Sequence, residues 1–218
     1  MNRSIIIFSA CVALFAGLDN PSAGADVVKF RLDPTDTFGA SLDTFQLGDE
    51  FDVHVWIQDV RERPQGIFSA FLDVEYDSSL VSYVPDSVRH GDQFGDIPRG
   101  DFSAAGLLDE VGSFASGVLA IPPVPEPLGG DEYLFFTTRF RAEQLGIATF
   151  AGNPADVIPR HATTAHGSDD AVPVPEMVFV AADVTIVPEP SSNFLVCLVA
   201  AGLLSVAHRR MSQLPTKT

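Results

Sequence analysis

Cysteine is missing from the whole stretch between residues 26 and 187. The chain's two cysteines, Cys11 and Cys197, each lie in an apolar run near one end. No disulfide can staple that stretch, and thiolate catalysis and cysteine-based metal sites are excluded from it. Cations are scarce too: 13 Lys and Arg stand against 29 Asp and Glu, for a net charge of −16. The acids are spread along the chain without a run of five, which describes an acidic surface and not an acidic tail. Phosphate binding needs clustered Lys and Arg, so a nucleic-acid partner is excluded. Long apolar runs are also lacking. The stretches 5–18 and 194–207 have 14 residues each, against about 20 for an ordinary membrane-spanning helix.

What is present is a foldable interior between two terminal signals. Apolar residues make up 46% of the chain, too many for a disordered one. At the N-terminus, Arg3 precedes the uncharged stretch 5–18, and "PSAGAD" supplies small residues at Ala23 and Ala25. This is the three-part build of a secretory signal cut after Ala25, so the exported chain is expected to begin at Asp26.

At the C-terminus, "VPEPSSNFLVCLVAAGLLSVAHRR" places Pro188, Glu189 and Pro190 ahead of the apolar run 194–207, followed by Arg209 and Arg210. The prolines keep the motif extended and out of a following helix. The arginines hold the end of the run on the cytoplasmic side. This combination resembles the PEP-CTERM sorting signal of bacterial exported proteins. The resemblance implies that an exosortase-type membrane protease cuts near the Pro-Glu-Pro motif and passes the product to the cell surface or extracellular matrix. Eight residues trail the arginines, where that family usually ends sooner. A second "VPEP", at residues 124–127, is followed by "LGGDEY" and no apolar run, and reads as a loop. The expected organisation is a signal peptide at 1–25, a folded domain at 26–187, the sorting signal with its membrane helix at 188–210, and a cytoplasmic tail at 211–218.

The domain alternates with a period of two almost throughout. In "DEFDVHVWIQD", Phe51, Val53, Val55 and Ile57 share one face, and Asp52, His54, Trp56 and Gln58 the other. "DVVKFRLD", "IFSAFLDVEYD", "LVSYV", "FASGVLAI", "EYLFFTTRFRA", "IATFAG" and "MVFVAADVTIV" behave alike, with Gly, Pro and Asp clusters between them. "GLLDEVGSFA" reads as a helical turn or two. The pattern predicts an all-β sandwich. Its expected core is Phe30, Phe51, Val53, Val55, Ile57, Phe68, Leu72, Val74, Leu134, Phe136, Phe140, Phe150, Val180, Val184 and Ile186.

"GIFSAFLDVEYDSSLVSY" followed by "GDEYLFFTTRFRAEQLGIATF" resembles the cohesin domain and, less closely, the related carbohydrate-binding sandwiches. The resemblance implies a flattened jelly roll of about nine strands and a dockerin-like protein partner or a polysaccharide. It also bears on the "RERPQG" turn. A simple hairpin there would set Trp56 opposite Phe71, whereas the cohesin pattern sends the two strands into different sheets, and that arrangement is expected here.

No G-x-S-x-G, H-E-x-x-H or P-loop occurs, and carboxylates are too common to single out a glycosidase pair. The expected protein is therefore noncatalytic. His161 and His166, near Asp169 and Asp170, match no standard transition-metal spacing, and His54 and His90 stand apart from them. Calcium is the better cofactor candidate, through Asp92, Asp96 and Asp101, with Asp33, Asp36, Asp169 and Asp170 as further oxygen donors. Trp56 lies off the core face and is the candidate for stacking a sugar ring. A flat polar face would favour protein contact, and an exposed aromatic row around Trp56 would favour carbohydrate.

Overall fold

The computed structural model describes residues 25–117, 128–158 and 160–189. The signal-peptide stretch before Ala25, the loop copy of "VPEP", the second half of "FASGVLAI", Pro190, the membrane helix 194–207, Arg209 and Arg210 lie outside these residues. Among the described residues no helix is long and apolar enough to cross a membrane.

Thirteen strands follow one another. They are β1 (Val28–Thr35), β2 (Thr44–Gln46), β3 (Glu50–Asp59), β4 (Ile67–Tyr76), β5 (Val81–Tyr83), β6 (Arg89–His90) and β7 (Asp96–Asp101). Then come β8 (Leu107–Phe114), β9 (Glu132–Ala142), β10 (Gly146–Pro154), β11 (Thr164–Ala165), β12 (Met177–Val180) and β13 (Ala182–Val187). Nine of these have four or more residues, matching the expected jelly roll. One sheet runs β12-β1-β3-β9-β5, with β6 also on β9; the other runs β2-β13-β10-β4-β8-β7, with β11 also on β4. β3 and β4 belong to different sheets, so Trp56 and Phe71 do not pair, as the cohesin pattern implied.

The inner faces meet in an aromatic core. Phe30, Phe51, Phe94, Phe135, Phe136, Phe140 and Phe150 are fully buried. Phe140 meets Phe150 at 4.8 Å and 65°, and Phe94 meets Phe135 at 5.1 Å and 84°, both edge-to-face. Such contacts add about 0.5–1.5 kcal/mol per pair beyond area burial. With no cysteine available, this packing is what joins the sheets.

Four sequence expectations fail here, three of them at β-bulges. Leu134 was expected in the core, but the β3–β9 register passes from Val55↔Phe136 to Trp56↔Leu134. Phe135 is the extra residue, so it enters the core and Leu134 turns outward opposite Trp56. Phe68 was also expected inside. The register passes from Thr164↔Ser69 to Ala165↔Ile67, which makes Phe68 the extra residue and gives the core position to Ile67. The segment read as a helical turn is strand β8. Its register jumps from Leu72↔Val111 to Val74↔Leu108, with Glu110 at φ 54°. The bulge leaves buried Leu108 and Val111 three apart, which imitates helical spacing. Fourth, "MVFVAADVTIV" is two strands. The chain leaves β12 at Val180 and joins the opposite sheet as β13, so the inward phase changes and Val180 is exposed.

Phe136→Ala should cost about 3–5 kcal/mol, and Phe135→Ala a similar amount. Leu134→Ala should cost about 1 kcal/mol, since half-buried Leu gains about half the value of full burial. Denaturant melts of the three variants check the bulge: a Leu134 loss as large as that of Phe135 would contradict it.

Candidate functional site

Alternation along β1, β3 and β9 builds the outer face of the first sheet row by row. Lys29, Gln58 and Glu132 form one row, Arg31, Trp56 and Leu134 the next, then Asp33, His54 and Thr137. Thr35, Asp52 and Arg139 follow, and Glu50, Arg141 and Ser82 close the series. Arg31 binds Glu132 through two bonds of 2.9 and 2.8 Å and lies 3.2 Å from Asp33. Arg139 donates to both oxygens of Asp52, at 2.7 and 3.1 Å. The hydrogen bond from Arg31 holds the Glu132 carboxyl below its ordinary pKa. Five of the nine Lys and Arg between residues 26 and 189 stand on the outer face of this sheet, Arg89 of β6 opposite Thr137 among them, against Glu50, Asp52, Asp33 and Glu132. It is a surface of mixed charge on an otherwise acidic molecule.

Trp56 points outward from β3 as expected. It is half-buried, with the Arg31 guanidinium 5.5 Å from its ring centroid and His54 edge-on at 6.1 Å. Its Nε1 is buried without a hydrogen-bond partner. Among the described residues no aromatic row extends from it across the face, where its cross-strand neighbours are Arg31 and Leu134.

The outer face of the second sheet is different, because residues 155–158 and 160–172 cross it. Phe71 faces out from β4 yet is buried, stacked on His161 at 4.4 Å and 3°. Its ring also lies so close over β8 that a side chain at Gly112 would collide with it. Glu110, at the β8 bulge, is buried. One of its oxygens accepts the N–H groups of Val157 (2.7 Å) and Ile158 (3.0 Å), and the other meets His161 Nδ1 at 2.5 Å. Asp73, also buried, accepts the Glu110 N–H at 2.8 Å. At the far end of the crossing segment, Arg61 reaches the His166 carbonyl, and the His166 N–H bonds Gly66.

Burial pushes the Asp73 carboxyl up to about 6, against the Glu110 N–H bond and helped by the charges of Asp109, Glu110 and Asp156. Burial lowers His90, and burial with the Arg61 charge lowers His166. His166 Nε2 and His90 Nδ1 are buried without partners. His161 and His166 therefore face separate surroundings and do not form a joint site.

Of the calcium candidates, Asp96 and Asp101 begin and end strand β7 and Asp33 lies in β1, while Asp92 and Asp36 lie between strands. Asp101 accepts the Ser103 N–H, and the Asp92 carbonyl accepts Ser116 Oγ. Asp36 accepts the N–H groups of Phe38 and Ala40, and Asp33 the Ser41 hydroxyl. Among the described residues no group of three or more His, Cys, Asp or Glu is placed to hold a metal ion, so Asp92, Asp96 and Asp101 do not converge. Asp169 and Asp170 lie in the exposed part of the crossing segment. The first two residues of the C-terminal motif, Pro188 and Glu189, follow directly on β13, whose last residue Val187 pairs with Gln46 and accepts the Leu47 N–H.

Sequence reasoning missed Glu110, Asp73, Asp59 and Arg61. The available signal was two adjacent acids, Asp109 and Glu110, inside the apolar stretch that holds Leu107, Leu108 and Val111.

No protein-family model matches the chain, and no curated protein matches it. Solved structures do. The seventh ScaB type I cohesin from Pseudobacteroides cellulosolvens aligns at a TM-score of 0.54 and 10% identity, covering 76% of this chain and 96% of its own. A chain of the CaDoc0917–CaCohA2 complex aligns at 0.51 and 16%, covering 73% and 99%. The third cohesin ScaC in complex with the ScaB dockerin, from Acetivibrio cellulolyticus, aligns at 0.50 and 12%, covering 73% and 99%. The described domain thus has the cohesin-type jelly-roll fold.

Asp73 gives this face a pH signature. With its folded pKa raised, the folded state keeps a proton that the unfolded chain has lost, so its contribution to stability falls as pH rises from about 4 through about 6. His90 and His166, with lowered values, act in the opposite direction, so the comparison must be with a variant. Asp73→Asn should melt higher than the parent at pH 7.5 and should lose that advantage at pH 4.5. Thermal melts at the two pH values check this, and an equal difference at both would contradict it.

Proposed function

We propose that the chain is an exported, noncatalytic surface or extracellular-matrix protein whose sandwich binds a protein partner through the outer face of its first sheet. The observation that carries this reading is the ion-paired, mixed-charge face of β1, β3 and β9. Ion-paired, side-by-side rows suit a protein surface, where complementary charge sets orientation and partner choice. The cohesin-type fold supports the reading, since the similar ScaC cohesin is described in complex with a dockerin. The alternative, a carbohydrate-binding module that retains exopolysaccharide, would use an exposed aromatic row, and Trp56 beneath Arg31 is not one.

Export rests on the N-terminal signal, and sorting rests on the Pro188-Glu189-Pro190 motif, the apolar run and Arg209 with Arg210. In this reading an exosortase-type protease meets the motif one residue beyond the last strand, while the apolar helix holds the precursor in the membrane.

The face is tested with Lys29→Glu combined with Arg141→Glu, two side chains outside the ion-pair network described above. The double variant should lose the partner captured from the organism's exported fraction while melting as the parent does. Unchanged capture would overturn the face, and binding on a glycan array without protein capture would move the reading to carbohydrate. Sorting is tested separately. Mass spectrometry of the surface-released protein should show a C-terminus near Pro190, and an intact Thr218 would leave a permanent anchor instead.

A further inference from the structure

Residues 155–158 and 160–172 do more than lie between β10 and β12. β10 pairs with β4 only from Phe150↔Tyr76 to Pro154↔Leu72. Beyond Leu72, the same edge of β4 meets only the two residues of β11, at Ser69 and Ile67. The segment therefore fills in for a strand that has left the sheet, and it covers the aromatic strip of Phe68, Phe71 and Phe114 on that face. The strip is tightly knit: Phe114 meets Phe68 at 5.9 Å and Phe71 at 5.8 Å, both edge-on.

The crossing segment has little regular structure of its own. Its apolar anchors are two small buried residues, Ala165 and Val172, and the stack of His161 on Phe71. Between them the contacts are polar, with Ser69 Oγ donating to the Ala162 carbonyl at 2.8 Å and lying 2.8 Å from Thr164 Oγ1. On the outside it is exposed at Val157, Ile158 and residues 167–171. Its first half is held by one carboxylate. Glu110 gathers Val157, Ile158 and His161, and a buried charge with three donors is a strong, all-or-none contact compared with neutral bonds. Segments tied by few contacts open below the free energy of global unfolding.

We propose that residues 155–158 and 160–172 form a strap latched by Glu110, and that release of this latch uncovers the free edge of β4 and its aromatic strip while the sandwich stays folded. An uncovered strand edge beside apolar side chains is a site for strand addition by an extended segment. In the latched state the strap is its occupant. The Glu110 carboxylate meets His161 of the strap, and the charges acting on neighbouring Asp73 are those of Glu110 itself, Asp109 from β8 and Asp156 from the strap. Ionisation of Asp73 adds like charge beside the latch, so the strap is held less firmly above the pH at which Asp73 loses its proton.

Hydrogen exchange on the full chain tests the latch. In Glu110→Gln, the strap amides should exchange about tenfold to hundredfold faster, the loss expected for hydrogen bonds to a charged group. The amides of β3 and β9 should exchange at the parental rate. If strap and core amides accelerate together, the strap is part of the global unit and the proposal fails; it fails equally if strap exchange is unchanged. Should Glu110→Gln not fold, the parent protein and Asp73→Asn supply the second measurement. After correction for intrinsic rates, the gain in strap protection of Asp73→Asn over the parent should be larger at pH 8 than at pH 5, with β3 and β9 unaffected, since His166 titrates alike in both proteins. An equal difference between the two proteins at both pH values would overturn the proposal.

Discussion

The carboxylate of Asp59 holds the point where the chain leaves one sheet for the other. It accepts the backbone N–H groups of Arg61, Gln65 and Gly66 and two bonds from the Arg61 guanidinium, at 2.6–3.1 Å. Burial alone would raise its pKa; the Arg61 side chain and the three N–H groups outweigh that and hold it low. A charge so enclosed converts the "RERPQG" turn from a loose connection into a fixed corner. β3 and β4 then enter opposite sheets at a set angle, and Trp56 and Phe71 end on opposite outer faces. Arg61 extends the same network to the His166 carbonyl, so the corner also anchors the far end of the crossing segment.

Much of this fold was legible because a half-buried strand advertises itself by a period of two. β1 and β3 alternate without interruption, and their inner residues are the expected ones. Three of the four failures share one cause. A bulge adds one residue to one strand and reverses the phase beyond it, and nothing in an apolar string marks where that happens. "YLFF" contains three apolar residues any of which could face inward; the register, not the composition, admits Phe135 and rejects Leu134. In β8 the same device spaced Leu108 and Val111 as a helix would. At Ala181 the chain changes sheets between residues that are apolar on both sides, so one long strand and two short ones read alike.

The sites were less legible than the fold, for an electrostatic reason. In a chain with 29 acids, Asp59, Asp73 and Glu110 look like any others on a solvated surface. Only the path of the backbone tells which of them are buried. Trp56 was visible because it is unique and its strand is regular. Its environment was not, since Arg31 arrives from β1 and is oriented by Glu132, 101 positions further along the chain.

Among the described residues three carboxylates are buried, Asp59 at the end of β3, Asp73 on β4 and Glu110 on β8, and each meets its burial differently. Asp59 has a cation and three backbone donors, and its charge is favoured. Glu110 has two backbone donors and a histidine, all supplied by the crossing segment, so its satisfaction depends on that segment staying in place. Asp73 accepts the N–H of Glu110 but faces the charges of Asp109, Glu110 and Asp156, and so keeps its proton to about pH 6. The acidity that keeps the exposed surface soluble thus imposes a cost wherever the sheet must bury an acid. The fold places that cost at the junction between a rigid sandwich and the one long segment laid across it. A structure whose sheets are joined by a fully apolar core can tolerate a polar, pH-responsive layer on its outside, because loosening that layer removes none of the contacts between Phe51, Phe140 and Phe150 that hold the sheets together.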